Sequence, residues 1–187
     1  MKELAAALER AGYTAHVDEQ EPFAERLKQS APRAVFMYVH GDTSPGVESA
    51  LIDYTTSGGR LIILHHGIAS AKVRSTRWLP FLGIAILPRD HQTHPWRVLR
   101  GDVEVVNLQP HHYVTTHNVD YPGRVSYRPS DEPSTEQEID AFTLPDTEMF
   151  LNQHFTDGRR KTVLLGARVV VDGKTYAQDR AGWMMPA

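Results

Sequence analysis

Leu4, Ala7, Leu8 and Ala11 recur at the spacing of one helix face, and Gly12 follows where a left-handed residue stops a helix, so residues 2–11 are predicted helical. Tyr13, Ala15 and Val17 alternate with polar residues and predict a short strand. Pro22 stands where the first turn of a helix tolerates it, and Phe23 pairs with Leu27 in that second helix. Residues 34–39 (Ala-Val-Phe-Met-Tyr-Val) then form an unbroken apolar run. A strand with no polar face is buried on both sides, as in a parallel sheet covered by helices. Asp42 or Ser44 can cap the next helix, residues 45–57, whose Val47, Leu51 and Tyr54 face the sheet until Gly58 and Gly59 end it. Residues 61–64 (Leu-Ile-Ile-Leu) repeat the apolar run. This alternation predicts an α/β fold with an open, mostly parallel, doubly wound sheet flanked by helices, which binds ligands beyond the carboxyl ends of its strands.

The second half breaks the rhythm. Gly101 and Asp102 separate two β-favouring runs within residues 98–105, which predicts a hairpin. Asp172 and Gly173 separate residues 163–171 from 174–176 and predict another, with a type I′ turn. Residues 121–138, rich in Pro, Ser, Asp and Glu, read as a long surface excursion.

At 187 residues the chain is long enough for one sizeable core and short for two ordinary domains, so one domain is expected. Twenty Lys and Arg against 23 Asp and Glu give a net charge of −3, so no basic stripe addresses nucleic acid or an anionic membrane. The apolar runs fall far short of the roughly 20 residues that span a bilayer, and no charged-then-apolar leader opens the chain. A cytoplasmic protein without nucleic-acid or membrane partners is expected, and a homo-oligomer is compatible with this. The absence of cysteine removes disulfides, thiolate catalysis and Cys-ligated metals. Ten histidines are the compositional anomaly, because several cluster.

His65 and His66 stand where the second apolar run ends and the chain turns, the position at which a nucleophile elbow presents its side chain in a doubly wound fold. Two readings stand: one imidazole faces a cleft while the other packs beneath it, or both are structural. His40 ends the preceding run and should share that edge. His91 and His94, and His111, His112 and His117, lie in predicted loops. Imidazole is a common transition-metal ligand, but no His-Glu-x-x-His or comparable pair occurs, so no metal is assigned and the cofactor stays open. Asp146 and Glu148, beside Phe142, Leu144 and Phe150, suit general acid–base work or sugar hydroxyls; Asp146 equally suits a turn cap after Pro145. Trp183 and Trp96 offer faces for sugar stacking, whereas Trp78, beside Leu79, Phe81 and Leu82, reads as core.

At the helix into Gly58-Gly59, residues 60–70 with their His65-His66-Gly67, residues 78–83 and residues 142–150, the chain resembles the ThuA-like (trehalose-utilisation) family. The resemblance implies the flavodoxin-like fold of class I glutamine amidotransferases. It also implies a chain that lacks that fold's first strand and its C-terminal strand and helix. The family usually writes an adjacent Asp-Glu pair where Thr147 here separates Asp146 from Glu148, so either carboxylate is eligible. A glutaminase is excluded because the elbow has no cysteine. What the resemblance implies is a role in bacterial use of trehalose or a related glycoside, with a small-molecule sugar as partner. His65, His66, Asp146 and Glu148 would act on a sugar or keto-sugar by acid–base chemistry, with His40, His94 and Trp183 binding it. The alternative is a non-catalytic sugar-binding or scaffold module, and fold alone does not choose between them.

Overall fold

The two unbroken apolar runs become strands of three residues each: β1 (Val35–Met37) and β2 (Leu61–Ile63) pair in parallel, Val35 beside Leu61 and Met37 beside Ile63. In this computed structural model, residues 1–68, 75–129 and 135–186 are described. The chain divides into two units, Met1–Leu82 and Gly83–Pro186. Among the described residues no helix is long and apolar enough to cross a membrane.

In the first unit the parallel pair is accompanied by α1 (Lys2–Arg10), α2 (Gln20–Gln29), α3 (Pro45–Thr56) and α4 (Trp78–Leu82). The predicted cap of α3 is Ser44, whose Oγ accepts from the Val47 N–H at 3.4 Å. Gly58 ends the helix at φ +93°, and Gly59 lies so close to the Tyr54 ring that a Cβ there would sit 2.4 Å from it. Leu27, Val35, Met37, Val47, Leu51 and Trp78 are buried. The strand predicted from Tyr13, Ala15 and Val17 does not form. Tyr13 and Val17 are each 50% exposed, and alternation without a neighbouring edge to pair with does not make a strand.

The second unit holds β3 (Ile84–Ile86), β4 (Arg97–Asn107), α5 (Tyr113–Thr116), β5 (Gly123–Tyr127), β6 (Gln137–Leu151), β7 (Gln153–Phe155), β8 (Thr162–Val171) and β9 (Lys174–Met184). β3 pairs antiparallel with β7, and the other five form one antiparallel sheet in the order β5-β6-β4-β8-β9. Side chains alternate across the sheet, so β4 feeds two cores: Val103 and Val105 join Met149, Leu151 and Val169, while Val106 joins Tyr127 and Ala141. Asp172 and Gly173, at φ +51° and +73°, make the tight turn predicted between β8 and β9.

The expected open, mostly parallel, flavodoxin-like or amidotransferase-like sheet is therefore corrected: one parallel pair forms and the remaining pairings are antiparallel. The helix–strand rhythm stops after residue 64, and the second half supplies long strands joined as neighbours. The hairpin expected at Gly101-Asp102 is corrected too, since β4 runs straight through it. Gly101 lacks a positive φ and packs on Val169, where a Cβ would meet Cγ2 at 3.0 Å. The register against β6 shifts there, so the Gly-Asp pair marks a bulge, which also accommodates Pro145 inside β6. Within the expected excursion over residues 121–138, Gly123–Tyr127 forms β5; residues 130–134 lie outside the described residues.

Candidate functional site

The carboxyl edge of the parallel pair gathers Tyr38, His40, His65 and His66. Leu64 donates its N–H to the Met37 oxygen at 2.8 Å, carrying the ladder one residue past β2. His65 then turns to φ +45°, and a 3-10 turn over His65–Gly67 follows, closed by Gly67 N–H to Leu64 O at 2.9 Å. Two features fix this turn. A Cβ at Gly67 would lie 2.8 Å from Ile63 Cγ2 and 3.1 Å from the Met37 oxygen, so only glycine lets the turn sit this close to β1. Beneath it, the fully buried Trp78 donates Nε1–H to the Gly67 oxygen at 2.9 Å.

The result brings together three histidines from two strand ends. The rings of His40 and His66 lie edge-to-face with centroids 4.2 Å apart, and those of His65 and His66 likewise at 4.2 Å. Tyr38, 44% exposed, sets its ring within 9° of parallel to His65 at 6.3 Å. His65 and His66 are half-buried and His40 is exposed, so the cluster reaches solvent. Gln20 pins the loop after β1 by donating to the Asp42 oxygen at 3.0 Å and accepting from the Ser44 N–H at 2.8 Å. Ring nitrogens of His65 and His66 come within 4.8 Å of each other.

Four other site residues expected from the sequence, His94, Asp146, Glu148 and Trp183, belong to the second unit. Asp146 sits in the β6 bulge at φ +43°, with its carboxylate bound by Arg100 at 2.8 and 2.9 Å and its N–H donated to Asp102 at 3.0 Å. The Arg100 hydrogen bond, and then its charge, hold the Asp146 carboxyl below its ordinary pKa, and Asp146 raises that of Arg100 in return. Glu148 is half-buried and directly opposite Arg100 in the ladder. His94 is exposed, edge-to-face with His154 at 5.4 Å, and its N–H is donated to His91 Nδ1 at 3.2 Å. Trp183 meets Phe155 edge-on at 5.5 Å. Trp96 lies under the Arg89 guanidinium at 5.1 Å. His112 caps α5 by accepting from the Val114 N–H at 3.2 Å, and His117 stacks on Tyr113 at 4.5 Å.

Sequence reasoning missed Tyr38 and Glu48. Tyr38 was absorbed into an apolar run, although its hydroxyl and its place just before His40 mark it as a strand-end residue. Glu48 is a buried carboxylate on α3 that accepts from Ser75 Oγ at 2.6 Å, while Ser75 Oγ accepts from the Trp78 N–H at 2.9 Å. An acid between Val47 and Leu51 on a core-facing helix was the available signal. No family model, curated protein or solved structure matches this chain.

Proposed function

We propose that the edge formed by His40, His65 and His66 is a proton-transfer site for a hydroxylated or carbonyl-bearing small molecule, a sugar or keto-sugar, used in carbohydrate metabolism in the cytoplasm. The observation that carries this reading is the convergence of three imidazoles and a phenol at the carboxyl ends of β1 and β2, with His65 held at φ +45°. Imidazole gives or takes a proton near neutral pH, so adjacent rings can divide the roles of base and acid. One ring would remove a proton from a hydroxyl, or from a carbon next to a keto group. A neighbouring ring would return a proton to the oxygen that gains charge. The phenol of Tyr38 supplies a further donor and a flat face for the sugar. The likeness of residues 58–67 to the ThuA-like pattern supports a sugar as the substrate class.

A second reading, a sugar-binding module without catalysis, is favoured by the commitment of Asp146 to Arg100, which removes one of the expected acid–base carboxylates. The two readings separate in one experiment. Disaccharides and their keto derivatives are screened by thermal shift, and those that bind are incubated in deuterium oxide and followed by NMR. Exchange of a carbon-bound proton with wild type, lost in His65→Ala and His66→Ala while binding persists, supports proton transfer. A thermal shift without exchange supports the binding module. No thermal shift with any sugar overturns both.

A further inference from the structure

A cavity of about 650 Å³ lies in the first unit along the side of β1 away from β2. Its lining is largely apolar, with Leu4 and Leu8 of α1, Tyr13 and Val17, and Phe23 and Leu27 of α2. α1 buries none of its residues, although Leu4, Ala5 and Leu8 form an apolar face toward this space. Tyr13 and Val17 stay half exposed beside it. β1, the chain leading into it and Val47 and Leu51 of α3 complete the wall.

The chemistry of that wall selects the occupant. In a parallel pair, alternate residues turn their N–H and C=O to the same neighbour. Val35 N–H donates to the Arg60 oxygen and Met37 O accepts from Leu64 N–H, both on the β2 side. The N–H and C=O of Phe36 and Tyr38 therefore point the other way, and both residues line the cavity. Among the described residues β1 pairs with β2 alone. A hydrocarbon filling the cavity would leave these backbone groups without polar partners, whereas an extended peptide satisfies them. Charge adds a direction. Arg33 and Arg60 line the cavity where β1 and β2 begin, and neither forms an ion pair among the described residues; Arg26, by contrast, is held by Asp18 at 2.8 Å.

We propose that the free edge of β1 is a docking site for an extended apolar peptide segment of a partner polypeptide. It would add to the sheet as a third strand, with an acidic residue at the end that meets Arg33 and Arg60. At about 3.3 Å per residue, the edge from Ala34 to Tyr38 matches a strand of roughly five residues. Backbone pairing supplies the affinity, and the apolar lining chooses the side chains.

The probe is the capped hexapeptide acetyl-Glu-Val-Ile-Val-Val-Thr-amide, titrated into the full chain by calorimetry, with amide exchange read in parallel. The expected result is one peptide per chain and slowed exchange at Phe36 and Tyr38. The same peptide N-methylated at alternate residues should bind at least roughly tenfold more weakly, because it keeps the apolar surface and loses the ladder donors. Leu8→Asp should weaken binding to a similar extent. Arg33→Glu, at an exposed position that leaves the core intact, should weaken the Glu-led peptide and spare a Lys-led one. Equal binding by the N-methylated peptide overturns the proposal, as does displacement of the peptide by decanoate without protection of Phe36. So does a dimer whose β1 amides are protected with no peptide present, which would assign the edge to a second copy of the chain.

Discussion

Among the described residues the first unit has two strands of three residues each, whereas four strands of the second run for ten residues or more. Long antiparallel neighbours satisfy one another, and their charged side chains find partners across the ladder. Arg100 of β4 holds Asp146 of β6, and Arg168 of β8 holds Glu104 of β4. Short parallel strands end early, and the chain that leaves them is irregular. There the side chains that meet are three imidazoles and a phenol. A carboxylate held by an arginine is a poor proton carrier, whereas an imidazole gives or takes a proton near neutral pH. The comparison thus sets a strand end rich in imidazoles in the first unit against a ladder of paired charges in the second.

The largest effect should follow from removing the support of the imidazole edge. Trp78 is fully buried and bonds the Gly67 oxygen. Trp78→Ala should cost about 3–5 kcal/mol in urea unfolding, as large-to-small core changes do. Trp78→Phe keeps much of the volume but leaves the Gly67 oxygen without its donor, at about 1–3 kcal/mol. Both should shift the His65 and His66 NMR resonances. Unmoved resonances in Trp78→Phe would show that the turn holds itself and that Trp78 is core alone.

How far this contrast was legible in the sequence differs between the two units. The apolar runs 34–39 and 61–64 pointed to both strands and their parallel pairing, but not to their shortness or burial: Leu61–Ile63 are half-buried and Tyr38 is exposed, where such runs imply cover on both sides. The Asp172-Gly173 turn was legible because its dihedrals demand those residue types. Gly101-Asp102 carried the same signal and misled, since a glycine can mark close packing as well as a turn, and Val169 decides between them from nearly 70 residues away. For the same reason the commitment of Asp146 was hidden. Its partner Arg100 stands 46 residues earlier, and only the β4–β6 register brings them together.

The next effect tests strain. Five non-glycine residues among those described have positive φ, and four are Asn or Asp in the second unit; the fifth is His65. Asn152 is held by a bond from Nδ2 to the Pro95 oxygen at 2.6 Å, so Asn152→Gly should lose about 1 kcal/mol. For His65→Gly, relief of the left-handed conformation is worth about 1–2 kcal/mol, and the added freedom of glycine in the unfolded chain takes back about 0.5–1. A small net gain in the thermal midpoint is expected. A loss above about 1 kcal/mol would make His65 a structural residue and break the comparison.

Acid titration should report the second unit's ion pairs. Hydrogen bonds from Lys161 and then Arg159 hold the Asp157 carboxyl down to about 2. Its folded value lies below its unfolded one, so its contribution to stability is present above the ordinary carboxylate range near 4 and is lost as pH falls toward 2. In thermal melts between pH 5 and pH 2, Asp157→Asn should fall less steeply than wild type. Parallel curves would mean that the pairing seen here contributes nothing to the fold.

The smallest effect carries the sharpest distinction for the sugar chemistry. The Arg100–Asp146 pair is well exposed, with side chains 64% and 76% accessible, so neither Arg100→Gln nor Asp146→Asn should change the melting temperature measurably. The carboxyl titration should nevertheless move. Arg100 keeps Asp146 below its ordinary pKa, and Arg100→Gln should return it toward that value in an NMR titration. A general acid needs the opposite, a carboxyl that still holds its proton near neutral pH. Asp146→Asn should therefore leave sugar proton exchange unchanged, while His65→Ala and His66→Ala abolish it. If Asp146→Asn abolished exchange instead, the ion pair would be a resting arrangement that the substrate displaces, and the second unit would carry chemistry as well as scaffold.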